Sequence, residues 1–268
     1  MASSTMWASL MHPKEVHTMM NHNRPLGLDS ITGYIDRLHP VEADGCHYII
    51  HLDVGNGQST LTEYMADVFF QNRIRRFGGR ERFLEYRLDG PLGQLRQVLE
   101  DIDANAGYTN HFEGIIALDI AGLVGCVNQT QAQVFLKALP DLGKHATLVF
   151  FAPTAPNRNL DRLIARIHEV LEDVMVFRPA PYSEVHLTGI ILRTMDDNGI
   201  LYEESAEMCE RIMDLVRATG TRSIRDAKRL AQKISRCADH TGLRPFLRAE
   251  DLFIITEETT PVKMKEAM

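Results

Sequence analysis

Two hydrophobic rhythms alternate along much of the chain. "HYIIHLDV" (47–54), "RFLEYRL" (82–88), "GIIALDIAG" (114–122), "ATLVFFAP" (146–153) and "MVFRPAP" (175–181) are short apolar runs with little internal alternation. Between them lie "STLTEYMADVFFQNRIRRF", "PLGQLRQVLEDIDANA", "NQTQAQVFLKALPDLG" and "NLDRLIARIHEVLEDV", where apolar residues recur every three or four positions. The short runs fit strands buried on both faces, and the longer spacing fits amphipathic helices. Their regular exchange predicts a parallel five-stranded sheet with helices on both faces. Beyond Ser183 the strand rhythm stops. "YSEVHLTGIILRTMDDNG", "YEESAEMCERIMDLVRATG" and "RSIRDAKRLAQKISRCADHTG" read as helices closed by glycines, with no strand among them. Upstream, "PLGLDSITGYIDRLHPV" predicts a helix capped by Ser30, with Ile31, Ile35 and Leu38 on one face.

The pattern divides the chain into a flexible N-terminal arm (1–24), an α/β domain (25–181), a small all-α domain (182–258) and a C-terminal tail (259–268). The arm carries His12, His17 and His22, but their irregular spacing fits a loose segment better than a metal site. Composition adds exclusions. With 268 residues, 44% hydrophobic and 24% charged, the chain is long enough for a sizeable core and ordinary for a globular protein. Its net charge of -7 argues against a general affinity for nucleic acid. Cys46, Cys126, Cys209 and Cys237 form no CxxC pair and suggest reduced thiols. No apolar stretch approaches the length of a membrane span, and the start lacks the order of a signal peptide, so a cytoplasmic protein is expected.

Candidate chemistry begins where the first strand meets its helix. A phosphate-binding loop has the form G-x-x-x-x-G-K-[ST]: backbone N–H groups cradle phosphates, Lys reaches the outer ones, and Ser or Thr holds Mg²⁺. In this frame the chain reads Leu52-Asp53-Val54-Gly55-Asn56-Gly57-Gln58-Ser59-Thr60. Gly57 and Ser59 match, Gly55 is an extra loop glycine, Leu52 replaces the first Gly and Gln58 the Lys. Taken alone, the stretch also fits a plain strand-to-helix turn. A second piece is Asp119, ending the apolar "GIIALD" where a Mg²⁺-holding carboxylate belongs; an Asp that merely ends a strand is the alternative. A third is "GTRSIRDAKRLAQKI", which resembles a stretch that sets an arginine, here Arg225 or Arg222, over a γ-phosphate from a helical lid; either is also an ordinary surface arginine.

Taken in order, these pieces resemble the AAA+ proteins grouped with stage V sporulation protein K and the red-type Rubisco activases, over roughly residues 26–255. "LGLDSITGYIDRL" is similar to their opening helix, "GNGQSTLTEYMADVF" to their phosphate loop and helix, and "RFLEYRLDGPLGQLRQVLEDI" to their second strand, pore loop and following helix. "IIALDIAGLV" resembles a segment that in the family runs Asp-Glu-Ala. "FRPAPYSEVHLTGIILRTMDDNGILYEESAE" resembles the start of their lid, and "RAEDLF" their closing helix. The resemblance implies a P-loop NTPase-type fold, ATP or ADP with Mg²⁺ held by Gly55, Asn56, Gly57, Gln58, Ser59, Thr60, Asp119 and Arg225, and an oligomer whose sites are shared between neighbours.

The departures fall on the chemistry. Ile120 stands where the family's Glu orients the attacking water, and an aliphatic side chain cannot. Arg162 and Arg166 lie near the family's finger-arginine segment without its local pattern. The polar residue expected after the fourth strand is Thr154, and the pore-loop segment Gly90-Pro91-Leu92-Gly93 lacks an aromatic. These losses point to a degenerate, non-hydrolysing scaffold or regulatory subunit that binds nucleotide weakly or not at all. Two alternatives stand beside it: an atypical active ATPase that remodels a protein partner, and a nucleic-acid adaptor. The adaptor would use the cluster Arg73, Arg75, Arg76, Arg80 and Arg82 around Phe77, which fits a solvated helix end and loop better than a binding patch. Given the overall acidity, the cluster favours a protein partner, an active AAA+ subunit or a second copy of the chain.

Overall fold

The computed structural model describes residues 24–39, 45–72, 83–88, 96–97, 100, 114–126, 130–239 and 245–252. They fall into two compact units, Leu28–Ala180 and a second built from the described residues of 24–27 and 181–252.

The first unit contains helix α1 (Asp29–Ile35), strand β1 (His47–His51), α2 (Gln58–Gln71), β2 (Phe83–Arg87) and β3 (Ile115–Asp119). A short 3-10 helix, Ala121–Cys126, follows, then α3 (Thr130–His145), β4 (Thr147–Ala152), α4 (Arg158–Val170) and β5 (Val174–Phe177). The five strands form one sheet in the order β2-β3-β4-β1-β5, and every pairing is parallel. All residues of β1, β3 and β4 are buried, while β2 and β5 at the edges are partly exposed. This burial explains why the central strands carry unbroken apolar runs: both faces are covered. On one face Ile116, Leu118, Leu148 and Phe150 pack with Phe135 and Leu139 of α3 and Leu163 and Ile167 of α4. Phe135 and Phe150 meet edge to face with centroids 6.2 Å apart. On the other, Tyr48 lies against Phe69 of α2 and Phe177. Burying each such side chain contributes about 1.5–3 kcal/mol.

The second unit has α5 (Glu184–Asp197), β6 (Leu201–Tyr202), α6 (Ala206–Thr219), α7 (Ile224–Ser235), β7 (Phe246–Leu247) and a 3-10 turn, Ala249–Leu252. Its own core gathers Leu187, Ile191 and Met195 of α5 with Ile212 and Leu215 of α6 and Leu230 and Ile234 of α7. Each of the three helices starts on a serine side chain: Ser183 accepts from His186 N–H, Ser205 from Met208 N–H and Ser223 from Asp226 N–H.

Three sequence expectations change. The helical unit is not free of strands: Leu201 and Tyr202 pair in parallel with Phe246 and Leu247. Two-residue strands carry too few positions to show alternation. Ser30 is not a cap, because α1 starts one residue earlier, with Leu28 at the N-cap and Asp29 in the first turn. The glycine closures hold for α6, where Gly220 is the left-handed cap, and α5 is followed by Gly199 at φ 72. Helix α7 ends instead at Ser235, and Gly242 lies outside the described residues. Most of the predicted helix at 91–106 is also outside them. Among the described residues no helix is long and apolar enough to cross a membrane.

Candidate functional site

Strand β1 runs into the loop from inside the sheet, hydrogen-bonded to the middle strand β4 on one side and the edge strand β5 on the other. The ladder continues one residue past the strand, where Leu52 N–H donates to the Ala152 carbonyl at 2.8 Å. A turn follows, closed by Asn56 N–H to Asp53 C=O at 3.1 Å. Gly55 at φ 88 and Gly57 at φ 89 are left-handed, a conformation that excludes most side chains. Gly57 is also the N-cap of α2, which has no side-chain cap. Loop and helix start therefore supply backbone amides at the carboxyl edge of a parallel sheet, where α/β folds receive ligands.

The side chains around that backbone are committed locally. Gln58 Nε2 donates to the Leu52 carbonyl at 2.7 Å, so the amide folds back along its own loop. The Asp53 carboxylate reaches the exit of β4, where Thr154 N–H donates to its Oδ1 at 3.0 Å and the Thr154 hydroxyl to its Oδ2. At the end of β3, Asp119 is buried, accepts from Ala121 N–H at 3.0 Å and lies 4.0 Å from Arg87 Nε. Ile120 is completely buried and belongs to the apolar core. His51, the last residue of β1, is buried; its Nδ1 donates to the Pro153 carbonyl at 3.0 Å, and its Nε2 has no hydrogen-bond partner. Ser59 and Thr60 are exposed on the first turn of α2.

The topology therefore gathers the loop residues 52–60, Asp119 and Thr154 at the carboxyl ends of β1, β3 and β4. Sequence reasoning missed the role of Asp53; the signal was the one charged residue in the stretch 52–60. In the second unit Arg222 precedes the Ser223 cap and Arg225 is exposed in the first turn of α7. Arg222 lines a cavity of about 520 Å³ with Tyr182, Arg217 and Thr221, and Arg217 is paired with Glu184 at 2.7 Å. The arginines at 73, 75, 76, 80 and 82, and the pore-loop segment at 90–93, lie outside the described residues. Among the described residues no group of three or more His, Cys, Asp or Glu could hold a metal ion.

A RuvB variant from Thermotoga maritima matches this structure with a TM-score of 0.55 and 14% sequence identity, covering 86% of this chain and 69% of that one. PCH-2 of C. elegans matches with a TM-score of 0.56 and 9% identity, covering 87% of this chain and 68% of the other. Both are AAA+ ATPases. No protein-family model matches the sequence, and no curated protein matches it. The fold is thus the α/β P-loop NTPase-type fold followed by a helical domain, as in AAA+ proteins.

Proposed function

We propose that this chain is a degenerate AAA+ protein: a scaffold or regulatory subunit that binds nucleotide weakly or not at all and does not hydrolyse it. The observation that carries the reading is the Gln58 amide, bound to Leu52 C=O where the resemblance places a phosphate-contacting lysine. The loop backbone fits a phosphate cradle, with left-handed Gly55 and Gly57 before the uncapped start of α2. Ser59 and Asp119 are the oxygen groups a Mg²⁺ ion beside a bound nucleotide would use, and the ion would neutralise phosphate charge there. The groups needed for turnover do not fit. Ile120 cannot orient water, and a missing arginine finger alone removes about 10³–10⁵ in rate. Loss of a charged phosphate contact costs only about 1.5–3 kcal/mol, so the binding function survives such changes better than hydrolysis.

In this reading the partner is a protein, either an active AAA+ subunit or further copies of the chain, and the arginines from Arg73 to Arg82 meet it. The test is a steady-state ATPase assay on full-length protein stripped of nucleotide, with a parallel calorimetric titration. The expected result is no turnover above background. Mg²⁺-dependent turnover at ordinary AAA+ rates, abolished by Asp119→Ala, would sink the reading in favour of an atypical remodelling ATPase.

A further inference from the structure

The Asp53–Thr154 contact has the form of a bound anion. One carboxylate takes two donors from a single residue, the peptide N–H and the hydroxyl of Thr154. It joins the mouth of β1 to the mouth of β4, two neighbouring strands of a parallel sheet. Ligands of such sheets enter at this edge, and their phosphates are held by donors of these types. Asp53 also opens the loop that the proposed reading takes as the phosphate cradle, and its carbonyl accepts from Asn56 N–H within that loop. Two anions at one end of a short loop repel each other, and the internal one is covalently tethered while a nucleotide must be drawn from solution. We infer that the Asp53 carboxylate is an internal anion that occupies the Thr154 donors and keeps nucleotide phosphates out of that end of the loop. This deepens the reading of the loop as a phosphate cradle and rests on it. It makes weak nucleotide binding a built-in property of the loop, beyond the change at Gln58.

Four full-length proteins separate the charge from the clasp: wild type, Asp53→Asn, Asp53→Ala and Thr154→Val. Each is titrated calorimetrically with ATP and with ADP in Mg²⁺, and loop amides are followed by hydrogen exchange. Asparagine is isosteric and keeps an acceptor for Thr154 N–H, so it removes the charge and leaves the clasp. ATP should bind Asp53→Asn about tenfold or more tightly than wild type, with a smaller gain for ADP. Asp53→Ala should show the same gain together with faster exchange at residues 53–57. Thr154→Val retains the carboxylate and should show no gain. An Asp53→Asn protein that binds ATP no more tightly than wild type, including no binding by either, overturns the inference. An equal gain in Thr154→Val also overturns it, because release of the loop and not loss of charge would then be the cause. Failure of the broader reading appears elsewhere, as ATP turnover by the wild-type protein.

Discussion

Helix α2 and the three helices of the second unit begin in opposite ways. Helices α5, α6 and α7 each start on a serine whose oxygen accepts one of the first backbone N–H groups. Helix α2 starts on a left-handed glycine with no side-chain cap. A serine cap satisfies the helix from within the chain; a glycine start leaves the first amides to water or to an anion from outside. The helical unit is therefore finished for stability at these ends, and α2 is left open at the cost of some stability. The polar side chains beside α2 go against that openness, since Gln58 and Asp53 both bind back into the protein. An open backbone with closed side chains is the combination that the proposed function, weak binding without turnover, expects of this loop.

The sharpest way to break this comparison is Gln58→Lys. It should tighten ATP binding by about 1.5–3 kcal/mol, or about ten- to a hundredfold, by calorimetry. An unchanged affinity would mean that the open start of α2 is not a phosphate cradle at all. Next, Gly57→Ala and Gly220→Ala both force an L side chain into the left-handed region, at φ 89 and φ 64. Each should cost about 1–2 kcal/mol in denaturant unfolding. Only Gly57→Ala should also weaken nucleotide binding; equal effects on binding would erase the distinction between the two units. Smaller still, Ser183→Ala, Ser205→Ala and Ser223→Ala should each cost about 1 kcal/mol of stability.

The smallest effect is confined to alkaline solution. Burial, with the charges of Asp196, Glu204 and Cys209, pushes the Tyr202 hydroxyl from 10.0 up to about 12, and burial pushes Tyr182 upward as well. The folded state holds these phenols neutral while the unfolded chain ionises them near 10. The Tyr202 contribution is thus complete below pH about 10 and is lost as pH rises through about 12. Thermal melts across that range should fall less steeply for Tyr202→Phe than for the wild type.

The central strands were legible because burial on both faces leaves an unbroken apolar run, as in "YIIH" and "TLVFFA". The strand order was not, because nothing local in β1 names β4 and β5 as its neighbours. The β6–β7 pair was hidden by its length and by the distance along the chain between Leu201 and Phe246. At the site, Leu52 to Thr60 and Asp119 could be placed by motif frame, and Thr154 by its position after the fourth strand. Whether those side chains face a ligand or one another is decided by rotamers and by contacts across 101 residues, as between Asp53 and Thr154. No spacing rule reports that. The inward turn of Gln58 onto the Leu52 carbonyl is likewise a matter of rotamer and not of spacing.

The position of β1 between β4 and β5 has a consequence for how the protein is made. Tyr48 finds its sheet partners only in Val149 and Met175, both encoded far downstream. During synthesis from the N-terminus, "YIIH" leaves the ribosome as an apolar segment with neither neighbour yet present, and parallel pairing over such separations is slow. The loop that follows it is thus written early and shaped late. A growing chain that stops before Thr147 has the whole of the loop's sequence and neither of the two strands that flank β1.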